Sequence, residues 1–152
     1  MTNVIARPWT RAAIFSAVAA LPALIGWAPP VAAMSGYTWK KRPLVVFAPA
    51  ATSEDLSRQR GIVMALKPAF QDRQIVVIYV VGDQVSADLG PGPSLGADAL
   101  RARYGVGTGS FRAILVGKDG GVKLSSPRPI AAATLFATID AMPMRTEELR
   151  KK

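Results

Sequence analysis

The stretch "RPLVVFAPAATSEDLSRQR", residues 42–60, decides the fold. Its apolar run at 44–48 lacks the alternation of a half-buried strand and predicts a strand that is covered on both faces. A Pro-Ala-Ala loop then leads into a helix predicted over 53–67, in which Ile62, Val63 and Leu66 have helical spacing. A second apolar run, "IVVIYVV" at 75–81, predicts a parallel partner strand and therefore a right-handed βαβ unit.

The remaining sequence extends this unit into an α/β domain. Residues 82–96 are rich in Gly and Pro and predict a long loop, and 97–105 predict a short helix that is closed by Gly105. An antiparallel hairpin is predicted over 111–125 and a last helix over 130–142.

The predicted order of elements is β-α-β-α-β-β-α, which is the thioredoxin-like order. It predicts an α/β fold with a mixed central sheet and helices on both faces. We place this domain at 44–145, between a basic and aromatic N-terminal arm at 34–43 and a basic C-terminal tail at 146–152.

The first 33 residues have the pattern of a secretory signal peptide. Arg7 and Arg11 precede the apolar run 12–28, and Val31 and Ala33 form a small-residue cleavage site. The run is interrupted by Pro and Gly and is shorter than the ~20 residues of a spanning helix, which disfavours an uncleaved membrane anchor. We therefore expect cleavage after about Ala33, no stable membrane anchor afterwards, and a periplasmic or secreted protein.

Composition limits the chemistry. The chain contains no cysteine and no histidine, which excludes disulfides, thiolate catalysis, imidazole metal sites and a Ser-His-Asp triad. No cofactor and no metal site are expected. After removal of residues 1–33 the chain has 17 basic and 10 acidic residues, a net charge of +7 that favours association with anionic envelope surfaces.

Four segments between Trp39 and Glu148 carry a family resemblance: "W..RPLVVFAP", "IVVIYVVGD", "YGV...SFRAILVGKDGGVKL" and "SPRPI....LFATIDAMPMR..E". Together they resemble the DUDES domain family, a peroxiredoxin-like group catalogued mainly as a domain of unknown function. The resemblance implies a thioredoxin-like fold and an exported bacterial protein, because bacterial members are mostly small exported proteins. It brings no established catalytic activity.

The wider similarity to peroxiredoxins is incomplete. Those enzymes carry Pro-x-x-x-Thr-x-x-Cys after the first core strand, whereas Pro49 and Thr52 are one residue too close and Asp55 stands where the cysteine would be. Arg112 looks like the arginine that stabilises the peroxiredoxin thiolate. Because this chain has no cysteine, Arg112 has no thiolate to stabilise.

Three residues form the candidate ligand or partner face: Thr52, Ser53 and Arg112. Thr52 or Ser53 is expected to cap the helix, with Asp55 at capping-box spacing, or else to contact a ligand at the helix start. Arg112 lies on an apolar strand, where a guanidinium needs a partner. It is expected either to form a structural ion pair, with Asp55 or Asp83, or to contact a ligand.

The arm offers a second candidate surface, in which Trp39, Lys40, Lys41 and Arg42 contact a polyanion. Export makes nucleic acid an improbable partner, and a solvated arm whose Trp39 packs on the domain is the alternative. Asp83 and Asp88 in the 82–96 loop fit a solvated loop better than acid/base work. The glycines of "YGVGTGS" (104–110) lack nucleotide-binding spacing and indicate a turn.

The sequence therefore favours an exported, non-catalytic thioredoxin-like domain that acts by binding an unknown protein or an envelope polyanion. One alternative is an oxidoreductase or peroxide-stress protein without its own cysteine. The other is a polyanion-binding protein that uses the basic arm.

Overall fold

The computed structural model describes residues 34–151, and the predicted signal peptide lies outside them. The described chain forms five strands and five helices: β1 (Arg42–Ala48), α1 (Glu54–Ala65), α2 (Lys67–Asp72), β2 (Ile75–Val81), β3 (Gln84–Asp88), α3 (Ala97–Tyr104), β4 (Arg112–Val116), β5 (Val122–Ser126), α4 (Ala132–Asp140) and α5 (Pro143–Arg150). None of these helices is both long enough and apolar enough to cross a bilayer.

The strands form one mixed sheet in the order β3-β2-β1-β4-β5. β1 lies at its centre and pairs parallel with β2, as the two apolar runs predict, and antiparallel with β4. All seven residues of β1 are buried, because the strand has a neighbour on each side and both faces are covered. The predicted α/β class with a mixed sheet is confirmed, and the architecture is consistent with a thioredoxin-like fold.

Two apolar clusters cover the two faces of the sheet. On one face, Leu44 and Val46 of β1 pack with Leu56 of α1 and with Leu135 and Ile139 of α4. On the other face, Val45 and Phe47 pack with Ala97 and Leu100 of α3. This alternation along β1 is the period of two that a strand imposes, and it explains why the continuous apolar run is needed.

The predicted loop 82–96 contains a strand. β3 pairs antiparallel with β2, and Gly82 and Asp83 form the two-residue turn between them, with Gly82 at φ +53°. Edge strands with one wet face alternate polar and apolar residues, so "QVSAD" lacks the apolar run of a buried strand. The Gly-Asp turn after an apolar strand is the signal that identifies this hairpin.

The helical regions also differ from the prediction at their ends. Helix 53–67 is divided at Leu66, because Pro68 stands in the first turn of a separate helix, α2. The predicted tail begins inside α5, whose first helical residue is Pro143. The predicted exposed arm is partly buried, since Met34 and Tyr37 pack against the α3 face and Arg42 and Pro43 already belong to β1.

Candidate functional site

The loop that follows β1 makes a turn and then begins α1. The Ser53 amide donates to the Ala50 carbonyl over 3.1 Å, and the Ser53 hydroxyl accepts from the Leu56 amide over 3.5 Å. Ser53 is therefore the N-cap of α1, as one of the sequence alternatives predicts. Glu54 and Asp55 occupy the first turn, where their charges offset the positive end of the helix dipole.

A surface cavity of about 410 Å³ lies beside this loop, at the carboxyl ends of β1 and β2. Ligands of open α/β sheets commonly bind in the crevice outside the carboxyl ends of the strands. The wall is formed by the loop after β1, by α1, by the end of β2 and by β3: Pro49, Ala50, Ala51, Arg60, Val81, Gly82, Gln84 and Ser86. The cavity therefore combines apolar side chains with neutral hydrogen-bonding groups and one cation.

The cation of this cavity, Arg60, is stacked on a buried tyrosine. Its guanidinium carbon lies 4.8 Å from the centre of the Tyr79 ring. Tyr79 is directly opposite Ser86 in the β2–β3 ladder, so both side chains point to the α1 face. The cation–π contact thus orients Arg60 over the wall to which Ser86 contributes.

The Tyr79 phenol is neutral at physiological pH. Burial raises the pKa of Tyr79 to about 12, and the nearby Asp88 carboxylate adds to this rise while Arg60 opposes it. The ring is 3% exposed, and its hydroxyl oxygen is buried without a hydrogen-bond partner among residues 34–151. Such an unpaired buried group is uncommon in folded proteins.

Arg101 joins the loops of this edge from the α3 face of the sheet. Its Nη1 donates to the Gly107 carbonyl over 2.9 Å, and its Nη2 donates to the carbonyls of Ala48 and Gly82 over 3.1 and 3.4 Å. Arg101 is 5% exposed, and within the described range its hydrogen bonds go to carbonyl groups and not to a carboxylate. The guanidinium therefore ties together the ends of β1 and β2 and the loop before β4.

The predicted ligand face is brought to one edge of the sheet but not to one surface. Arg112 is paired with Phe47 in the β1–β4 ladder and shares the α3 face with Ile114, whereas Ser53 caps α1 on the opposite face. Thr52 is exposed on the loop between them. A ligand on the α1 face therefore meets the loop without meeting Arg112.

The ion pair expected for Arg112 is not formed in the described part of the chain. Its Nε atom is buried without a hydrogen-bond partner there, as is the hydroxyl of Tyr104 on the same face. Asp55 cannot serve as its partner because α1 covers the other face of the sheet. The α3 face thus has unpaired polar atoms at Arg112 and Tyr104.

A buried ion-pair network lies at the opposite edge of the sheet. The Glu148 carboxylate of α5 accepts from Arg42 Nη2 over 3.0 Å and from Lys118 Nζ over 2.6 Å, and it also pairs with Arg145 over 3.5 Å. Arg42 Nη1 donates in addition to the Arg73 carbonyl over 2.9 Å. This carboxylate therefore binds α5 to the start of β1 and to the turn after β4.

A second layer of the network joins α5 to α2 and α4. Arg145, 2% exposed, pairs with Asp72 and with Asp140, and Arg73 pairs with Asp140 over 2.6 Å. The Arg73 hydrogen bond and charge, together with those of Arg145, hold the pKa of Asp140 below its usual value against the effect of burial. Because its cations are matched by carboxylates, this edge has a structural role.

Glu148 predicts a pH-dependent contribution to stability. Burial raises the pKa of this carboxyl, but hydrogen bonds and charges from Arg42 and Lys118 outweigh burial and lower the pKa from 4.5 to about 2. A carboxyl with a lower pKa in the folded state stabilises the fold above its unfolded pKa, and this contribution disappears as the pH falls from 4.5 to about 2. We expect Glu148→Gln to lower the free energy of unfolding by about 3 kcal/mol at pH 7 and by about half of that at pH 3, measured by urea denaturation. An equal loss at both pH values would contradict a stabilising charge on Glu148.

The polyanion candidates are divided between two environments. Trp39 is 67% exposed and Lys40 is exposed, while Lys41 is half-buried. The Trp39 amide donates to the Lys118 carbonyl over 2.7 Å, which joins the arm to the turn after β4. Arg42 is fully buried against Glu148 and is thereby separated from this exposed group.

Sequence reasoning missed the charged residues on which both edges depend. Arg60 and Arg101 lie on predicted helices, and no sequence motif singles out either residue. The only available signal for Arg101 was its position one turn before a Gly-closed helix end, where a cation is also favoured by the helix dipole. Glu148 and Arg42 are 106 residues apart, so no local pattern connects them.

The sheet, the capped loop and the edge cavity define an α/β protein, consistent with a thioredoxin-like fold, whose junction after the central strand contains neither cysteine nor histidine. The chain belongs to the DUF4174 family, a domain of unknown function, whose model matches residues 33–148. The comparison with curated proteins found no match. The resemblance to the DUDES family and to peroxiredoxins stays a prediction.

Proposed function

We propose that this protein is exported, is cleaved after about Ala33, and acts in the periplasm or outside the cell by binding, without catalysis. The binding surface is the cavity at the carboxyl ends of β1 and β2 together with the adjoining loop at Thr52 and Ser53. Its ligand is held by shape, by hydrogen bonds and by one cation.

The observation that carries this proposal is the chemistry of the junction after β1. Thioredoxin-like enzymes place their reactive cysteine after this strand, and this chain presents Pro49, Ala50, Ala51, Thr52 and Ser53. Ser53 already serves as an N-cap, and the cavity wall formed by the described residues has no carboxylate or amine that would serve as an acid or a base. A wall of this composition suits the binding of a ligand better than its chemical conversion.

Export is supported by the basic and apolar pattern of residues 1–33. The family match begins at residue 33, next to the proposed cleavage site. The protein also contains no cysteine, so its fold is independent of the redox state of the compartment.

We expect the full chain, expressed in a bacterial host, to appear in the periplasm or medium as a species that begins at Met34. That product should reduce neither hydrogen peroxide nor insulin disulfides above the protein-free rate. A photo-crosslinking residue at Ala51 should label an envelope component that the same residue at Ala133, exposed on α4, does not label.

Three results would contradict this proposal. Retention of the full-length chain in the cytoplasm would contradict export. Turnover of peroxide or disulfide that is lost when the 49–53 loop is altered would favour the oxidoreductase alternative. Equal labelling from Ala51 and Ala133 would contradict the assignment of the cavity as the binding surface.

A further inference from the structure

Arg60 lines the cavity with a charge that no carboxylate among residues 34–151 pairs with. Within residues 34–151 the guanidinium forms no ion pair and no hydrogen bond, and its contact is the Tyr79 ring at 4.8 Å. Arg58, two residues earlier on the same helix, is instead paired with Glu54 over 2.5 Å. Arg60 therefore presents its donors to the cavity, whereas the donors of Arg58 are occupied.

The guanidinium is exposed, and its contact with the Tyr79 ring favours one position before any ligand binds. This contact reduces the rotamer freedom that the side chain loses on binding. The phenol beneath it is neutral at physiological pH and does not compete for the charge. A planar guanidinium in this position can receive a carboxylate through two parallel hydrogen bonds.

The surroundings favour a single negative charge over a double one. Among the described residues one cation, Arg60, lines the cavity, while Asp55 stands in the first turn of α1 and Asp88 lies near Tyr79. A phosphate dianion would be attracted by Arg60 and repelled by these two carboxylates. A monocarboxylate needs only the one bidentate contact.

The rest of the wall fits a short apolar body. Ala50, Ala51 and Val81 supply apolar surface, and Gln84 and Ser86 supply neutral hydrogen-bonding groups beyond them. The volume of about 410 Å³ is within the range of small-molecule sites. We propose that this cavity binds a small organic monocarboxylate, with its carboxylate on Arg60 and its apolar body against the loop after β1.

This inference rests on the proposed binding function, and its test is separate. The exported protein is titrated with butyrate, with hexanoate and with inorganic phosphate, and backbone amide shifts are followed by NMR. We expect saturable shifts for the carboxylates that are largest at Ala50, Ala51, Gly82 and Ser86, tighter binding of hexanoate than of butyrate, and weaker binding of phosphate. N-acetyl-dialanine, titrated in parallel, distinguishes a peptide carboxyl terminus from a free acid as the natural source.

The matched variants are Arg60→Gln and Arg58→Gln, which remove the same charge from the same helix. We expect Arg60→Gln to weaken hexanoate binding at least tenfold, Arg60→Lys to weaken it less, and Arg58→Gln to leave it unchanged, with equal melting temperatures for all. If both Gln variants weakened hexanoate binding equally, the effect would come from net charge, and the assignment of Arg60 as the carboxylate contact would be wrong. Phosphate binding as tight as hexanoate binding would overturn the monocarboxylate class.

The two proposals fail separately. Selective labelling from Ala51 without any carboxylate shift would leave the binding surface in place and overturn the ligand class. Carboxylate shifts at the cavity in a protein that also turns over peroxide would keep the ligand and overturn the non-catalytic function.

Discussion

Replacement of Glu148 by alanine is expected to lower the free energy of unfolding by about 3–5 kcal/mol, the cost of leaving buried charges without their partner. Arg42 is fully buried, and the side chains of Lys118 and Arg145 are 7% and 3% exposed. All three lose a carboxylate contact at once. Since small domains are stable by roughly 5–15 kcal/mol, this single change removes a large share of the total.

The neighbouring residue gives the control. Glu147 pairs with Arg150 at the same i,i+3 spacing that joins Arg145 to Glu148, but both members of the Glu147–Arg150 pair are largely exposed. Glu147→Ala should therefore change stability by less than about 1 kcal/mol. Urea denaturation of both variants at pH 7 makes the comparison, and a similar small loss for both would contradict a structural role of the Glu148 network.

The central part of the fold was predictable because its signal is local. The apolar runs in β1 and β2, the Gly105 helix end and the hairpin after Arg112 each depend on neighbouring residues. β3 was not predicted because the Gly and Pro content of residues 82–96 indicates a loop. The strand also lacks a continuous apolar run, since an edge strand with one exposed face carries polar residues. α5 was missed because its charged residues resemble a solvated tail until their distant partners are known.

The site was less predictable than the fold for the same reason. The capping role of Ser53 was predictable because the hydrogen bond of a helix cap joins residues that are three positions apart in the sequence. Arg101 bonds carbonyls that are 53 and 19 residues away, and Gln59 holds both backbone groups of Ile130 from 71 residues away. Such contacts follow from strand order, which a single sequence does not encode locally.

The two ends of the central strands differ in how their cations are paired. At the amino end of β1, cations are neutralised by carboxylates and hold α5 in place. At the carboxyl end, Arg60 lacks a carboxylate and Arg101 bonds only carbonyls within the described residues. The Arg60 guanidinium is thus without an ion-pair partner among the described residues at the edge where the cavity lies, which is the edge that an anionic ligand would approach.

Arg101→Ala should give the second large loss, about 2–4 kcal/mol, because it removes hydrogen bonds from a charged donor to three carbonyls. The Ala48 carbonyl keeps one bond, from the Gly82 amide at 3.2 Å, while the loop at Gly107 loses its tie to the sheet. We therefore expect faster hydrogen exchange in 105–111, measured together with urea denaturation. Because the end of β2 lines the cavity, hexanoate binding should also weaken.

Two further variants distinguish these ties from the charge itself. Arg101→Lys keeps the cation but cannot bridge the three carbonyls with one ammonium, so it should recover only part of the loss. Arg128→Ala removes a cation from the exposed surface and should change stability by less than about 0.5 kcal/mol. Full recovery by lysine, or unchanged exchange in 105–111 for Arg101→Ala, would show that the loops are held by other contacts and that the edge cavity keeps its shape without Arg101.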